Sequence, residues 1–198
     1  MTKRGLIAIA GIVGVGKTTL AENLAAELSA ELILEEYNQN PFLADQVSGQ
    51  PQAAMPSELF FLFSRVRQLR RDRIETIPLV VCDYVFHKNR IFAEMNLDRR
   101  AYAAYRCLEQ AVEPYIAPPA RVIYLQGDIK MCLDRIVRRG REFEKTFSAD
   151  FLKRLHEAYE RMFSDWRQCP VIRINADRWD FRCQEDIQHI IAQLDESE

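Results

Sequence analysis

The residues Gly11 to Thr18, GIVGVGKT, fit the pattern G-x-x-x-x-G-K-[ST]. The chain has only seven glycines, and three of them, Gly11, Gly14 and Gly16, fall inside this run. Glycines so placed let the backbone N–H groups around Val13 and Val15 point into one concavity, and the N-terminus of a following helix adds its dipole. Lys17 can reach the outer phosphates of a nucleotide, and Thr18, with Thr19 beside it, offers a hydroxyl to Mg2+. The expected first ligand is a purine triphosphate with Mg2+, and the chemistry is that of phosphates.

Such a loop does not say what is done with the nucleotide. A GTPase switch needs Asp-x-x-Gly and Asn-Lys-x-Asp, and neither occurs after the loop. That leaves ATP-using kinases of small molecules as the leading class. Phosphoryl transfer asks for an aligned acceptor, a carboxylate to orient it and positive charge around the moving group. Glu35 and Glu36 close the apolar segment LILEE, and Asp83 closes LVVCD, where it suits Mg2+. In RIVRRGRE, Arg135, Arg138 and Arg139 share a helix face, Gly140 ends the helix and Arg141 follows, which predicts a lid at about residues 138–148.

These groups need a frame. Apolar runs at Leu6–Ala10, Glu31–Leu34, Leu79–Cys82, Val122–Leu125 and Val171–Ile174 read as strands, and they are apolar throughout rather than alternating. Strands of that kind belong to a parallel sheet covered on both faces. Between them, Lys17–Leu28 and Ser57–Glu75 carry apolar residues at helical spacing. The predicted fold is a three-layer α/β domain over residues 1–198.

At 198 residues and 48% apolar content the chain is expected to hold one domain with a sizeable core. With 27 Lys and Arg against 29 Asp and Glu, no global basic field suggests a nucleic-acid polymer as partner. The five cysteines show no metal spacing and read as reduced thiols of a cytoplasmic protein. Lys3-Arg4 followed by LIAIAGIVGV mimics a secretory signal, but Lys17 and the glycines interrupt the apolar run, and no membrane span is expected.

The order of GIVGVGKTT, EEYNQNPFL, LFFLFSRVRQ, DYVFHKNRIFAEMNL, RRGREFE, FLKRLHEAYERM and VIRINADRWDF resembles the deoxynucleoside kinase family, along nearly the whole chain. The resemblance implies a five-stranded parallel sheet of the P-loop, nucleoside-kinase type with a short lid. It implies transfer of the ATP γ-phosphoryl to the 5′-hydroxyl of a deoxynucleoside, with Mg2+, by an enzyme that is commonly a homodimer. Carried over by position, Glu36 is the carboxylate that activates the hydroxyl, with Glu35 its neighbour, and Asp83 binds Mg2+. Arg65 lies on the substrate side, Arg135, Arg139 and Arg141 contact phosphates, Glu144 contacts the sugar, and Asp177 belongs to the loop around the adenine.

The chain also departs from the family. The acidic-Arg pair after the third strand reads Asp83-Tyr84, the base-reading glutamine is Glu58, and no tyrosine lies between Tyr37 and Tyr84. Glu58 and Arg65 are two helical turns apart, so Arg65 is expected to hold Glu58 ionised. An ionised carboxylate only accepts hydrogen bonds, which suits a base edge with donors and slightly favours purines. Two other readings stand beside this one: a kinase of nucleoside monophosphates using Arg65, Arg67, Arg70 and Arg71, and a domain that binds ATP without turning it over.

Overall fold

In a computed structural model that describes residues 4–196, the five expected strands form one parallel sheet in the order β2-β3-β1-β4-β5. They are β1 (Gly5–Ala10), β2 (Glu31–Ile33), β3 (Leu79–Cys82), β4 (Arg121–Gln126) and β5 (Val171–Asn175). Lys3 of the signal-like segment lies outside the described residues. In register, Ile7 faces Val81 on one side and Arg121 on the other.

The helices are α1 (Lys17–Leu28), α2 (Leu43–Val47), α3 (Pro51–Gln68), α4 (Arg71–Ile74), α5 (Lys88–Asn96), α6 (Arg99–Val112), α7 (Ile129–Arg139), α8 (Ala149–Ser164) and α9 (Gln184–Glu196). The period-2 alternation of β3 explains why its strand is apolar throughout. Leu79 and Val81 join a core with Leu24 of α1, Leu155 of α8 and Ile190 of α9, while Val80 and Cys82 join Leu62 of α3 and Tyr105 of α6. Both faces of the sheet are therefore dry, and ligands are left the carboxyl ends of the strands.

Two expectations about helices change. The predicted Ser57–Glu75 helix begins earlier, with Pro51 in its first turn where a missing N–H costs nothing. It then breaks, because Arg70 turns extended (φ −53°, ψ 132°) and bridges to Ile116 before α4 starts. The aromatic residues of the Tyr102–Tyr115 segment divide: Tyr105 is fully buried, whereas Tyr115 is 68% exposed.

Candidate active site

The carboxyl ends of β1, β2 and β3 open into a cleft of about 1200 Å3. At its donor end, β1 passes through the glycine-rich loop into α1. Gly14 (φ +84°) and Gly16 (φ +111°) adopt left-handed backbone, and a Cβ on Gly14 would lie 2.5 Å from the Cys132 carbonyl oxygen. Val13, Gly14, Gly16, Lys17, Thr18 and Thr19 all line the cleft. Lys17 Nζ donates to the Ile12 carbonyl at 2.8 Å, which folds the side chain back over the loop. Burial, and then the ammonium of Lys88, pull Lys17 down to about 8.

Thr18 Oγ1 donates to Asp83 Oδ2 at 2.7 Å, joining the start of α1 to the end of β3. Asp83 Oδ1 accepts the backbone N–H of Glu35 at 2.9 Å, which ties in the end of β2 as well. Burial, followed by the nearby charge of Glu35, pushes the Asp83 carboxyl up, as expected of an anion that a cation would stabilise. Among the described residues no three acidic, His or Cys side chains form a metal cage. One hydroxyl beside one carboxylate at a phosphate loop nonetheless suits Mg2+, which takes few protein oxygens and shares phosphate oxygens.

The centre of the cleft belongs to Glu35. Its Oε1 accepts from Arg65 Nε at 3.1 Å and from Arg65 Nη2, and Lys88 Nζ donates to Oε1 at 2.9 Å and to Oε2 at 2.8 Å. Burial works to raise this carboxyl, but the charges of Lys88 and Arg65 prevail and hold it well below the usual carboxylate range. Arg65 is itself buried, also donates to Asn89 Oδ1, and lies over the rings of Phe61 and Tyr84.

At the inner end sits Glu58, 1% exposed. Its Oε1 accepts from Gln46 Nε2 and Asn96 Nδ2, each at 2.7 Å, and its Oε2 has no partner among the described residues. On the opposite rim α7 and the lid supply arginines. Arg135 Nη1 donates to the Val15 carbonyl at 3.1 Å. Arg139 grips both oxygens of buried Glu144, at 2.7 and 2.6 Å, and Arg141 reaches Glu144 at 3.4 Å while stacking over Tyr37 at 4.0 Å. Gly140 (φ +67°) lets the chain leave α7 toward this lid.

The model of the deoxynucleoside kinase family matches residues 7–197. A deoxyadenosine/deoxycytidine kinase of Bacillus subtilis (strain 168) is 31% identical over 97% of this chain and 92% of its own length. A deoxyadenosine kinase of Dictyostelium discoideum is 33% identical over 85% of this chain and 71% of its own. Among solved structures, a deoxyadenosine kinase from M. mycoides with bound dCMP and dCDP superposes with a TM-score of 0.84, at 23% identity, covering 96% of this chain and 99% of that one. The chain belongs to the deoxynucleoside kinase family.

Against this background the kinase departs from its sequence-based expectations in definite ways. Glu36, expected at the acceptor, lines the cleft as well but is held by Ser64 Oγ (2.5 Å) and the exposed Arg67, whereas its neighbour Glu35 is presented to Arg65 and Lys88. Tyr84 is 1% exposed and donates to Gln68 Oε1 at 2.6 Å, so it backs Arg65 from the core and does not reach the cleft. Arg65 binds Glu35 and Asn89 rather than Glu58, and burial pushes the Glu58 carboxyl up from its ordinary value. Gly11 and Val15 also stand outside the cleft: a Cβ on Gly11 would lie 2.6 Å from the Leu125 carbonyl, and Val15 is core. Asp177 accepts the Asp128 N–H at 3.1 Å, and the wall of that loop is formed by Trp179, Asp180 and Phe181.

Sequence reasoning passed over Lys88, Gln46 and Asn96. Lys88 carried one usable signal, a lysine five residues past Asp83 in a segment otherwise matched to the family.

Proposed function

We propose that this deoxynucleoside kinase moves the γ-phosphoryl group of ATP to the 5′-hydroxyl of a deoxynucleoside with an amino-bearing base, purines foremost. The observation that carries the reading is Glu35, an ionised carboxylate in mid-cleft, joined through Asp83 to Thr18 of the phosphate loop. The acceptor hydroxyl binds at Glu35, which orients it and takes its proton as oxygen attacks the γ-phosphorus and ADP departs. Gly14, Gly16, Lys17 and Thr19 hold the donor phosphates, Arg135 and Arg139 add positive charge, and Trp179 and Phe181 wall the adenine. Thr18 and Asp83 hold Mg2+, whose contribution is to neutralise phosphate charge.

The base enters toward Glu58, between Phe61 and Phe92. Glu58 Oε1 is doubly engaged, so Oε2 is the oxygen that meets an exocyclic amine. Of the arginines that a monophosphate acceptor would use, Arg65 is held by Glu35, while Arg67, Arg70 and Arg71 pair with Glu36, Asp72 and Glu75 and do not line the cleft. A nucleoside, not a nucleotide, is therefore the acceptor. The five cysteines are all free, which accords with a cytoplasmic setting, and the exposed Leu108 and Tyr115 offer a face for a homodimer.

The test is incubation with Mg-ATP and a panel of deoxynucleosides, ribonucleosides and monophosphates, following ADP release. Rapid release with deoxyadenosine, deoxyguanosine or deoxycytidine and little with monophosphates is expected. Release that ignores every nucleoside would defeat the reading.

A further inference from the structure

Lys88 is an unusual residue for its place. It opens α5, where the helix dipole disfavours a cation, and it is 6% exposed, a burial that lysine rarely tolerates without a partner. Its ammonium sits on both oxygens of Glu35, at 2.9 and 2.8 Å, and lies 5.1 Å from the centre of the Phe92 ring. It is also near enough to Lys17 for the two charges to repel across the cleft floor. Two ammonium groups facing one space, one from the phosphate loop and one from the acceptor side, are relieved by an anion between them.

Two of the cleft's arginines already have carboxylate partners. Arg65 spends its fork on Glu35 and Asn89 beneath two aromatic rings, and Arg139 is closed on Glu144. A lysine, with a compact charge on a flexible stem, can change partners without leaving a planar fork half-filled. Oε2 of Glu35, the oxygen that an acceptor hydroxyl would need, is held among the described residues by Lys88 alone.

We propose that Lys88 is a catalytic residue of the phosphoryl transfer: its ammonium leaves Glu35 Oε2 when the acceptor hydroxyl arrives and engages the transferring γ-phosphoryl group opposite Lys17. This rests on the kinase reading of the same cleft. The exchange does two things at once. It frees the carboxylate to take the hydroxyl proton as the new O–P bond forms and the bond to the ADP oxygen breaks, and it places positive charge on the oxygens of the group in transit. Tyr84, which follows Asp83, turns its hydroxyl into the core, so the residue after Asp83 brings no cation to the cleft, and Lys88 supplies one from the next helix.

The experiment compares wild type with Lys88→Met and Lys88→Gln in steady-state turnover and thermal melting. Calorimetric binding of Mg-ADP and of a non-hydrolysable ATP analogue, each with the deoxynucleoside present, completes it. A fall in kcat on the order of 100-fold is expected, as for loss of one charge-stabilising donor. The KM for the deoxynucleoside moves less than about threefold, and the analogue loses about tenfold in affinity while ADP does not. A lysine that merely neutralised Glu35 would weaken both nucleotides alike or change only the nucleoside KM; either result, or turnover within about threefold of wild type, overturns the proposal. Should Lys88→Met not fold, Lys88→Gln, whose amide can still donate to Glu35, carries the same measurements. Wild type without acceptor-dependent ADP would instead sink the kinase reading, independently of Lys88.

Discussion

Glu35 and Glu36, adjacent in the chain, are held by different residues of α3: Arg65 serves Glu35, which Lys88 of α5 also holds, while Ser64 and Arg67 serve Glu36. The first carboxylate is thereby fixed in mid-cleft and the second is pinned near the rim. Glu35→Gln is expected to lower kcat by about 1000-fold, since both the oriented acceptor and the proton acceptor are lost. Glu36→Gln should stay within about threefold of wild type, because its main partner, Arg67, is exposed and such pairs contribute ~1 kcal/mol or less. Steady-state rates of the two variants decide between them, and the reverse ranking would return the catalytic role to Glu36.

The second expectation concerns pH. Burial raises the Glu58 carboxyl above its ordinary value, so its contribution to stability is present at pH below that ordinary value and is lost as pH rises through the folded one. Glu58→Gln removes this loss. The variant should therefore gain stability over wild type at pH 8 and gain less at pH 5. Urea unfolding at the two pH values measures it; a gain that is equal at both would show that Glu58 is not the titrating group. In the same variant the preference among bases should shift toward thymidine, because an amide can donate as well as accept.

Much of this arrangement was legible in the chain, and the boundary is physical. The glycine loop, the five strands and the end of α7 at Gly140 depend on local backbone requirements, which sequence records directly. Direction is different. Which of Glu35 and Glu36 meets Arg65 and Lys88 depends on the turn that leaves β2 and on where α3 places Ser64 and Arg65, and both carboxylates satisfy every local rule equally. Glu58 and Arg65 do lie on one helix, as spacing requires, yet Arg65 finds a nearer carboxylate on another element. Lys88 could be picked out only by its place after Asp83, since the carboxylate it pairs with is 53 residues away in sequence.

Glycine substitutions separate close approach from mere backbone conformation. Gly14 and Gly49 both have positive φ, at +84° and +86°, but a Cβ at Gly49 meets nothing within 4 Å, whereas one at Gly14 meets the Cys132 carbonyl oxygen at 2.5 Å. Gly49→Ala should cost about 1 kcal/mol, the penalty of a left-handed alanine alone. Gly14→Ala should cost roughly 3 kcal/mol or more and should weaken ATP binding, because α7 must retreat from the loop that it buttresses. Urea midpoints and nucleotide titrations of both variants test this contrast, and equal penalties would mean that the loop yields more easily than its geometry implies.

The lid offers the last test. Glu144 is 3% exposed and accepts from Arg139 and Arg141, so its two oxygens set the direction in which both guanidinium groups point. Glu144→Gln cannot receive that bidentate grip from Arg139, and an amide nitrogen facing a guanidinium adds a donor against a donor. The arginines then lose their fixed aim while their charges remain. Turnover should fall about tenfold or more, with a rise in the KM for ATP, and the melting temperature should drop only slightly because the lid is short and contributes little to the core. Arg141→Ala, which removes the stack on Tyr37 as well, should show the same rise in the KM for ATP with a smaller loss of turnover, since Arg139 keeps its grip on Glu144. If neither variant changed the KM for ATP, the lid arginines would have no part in holding the donor.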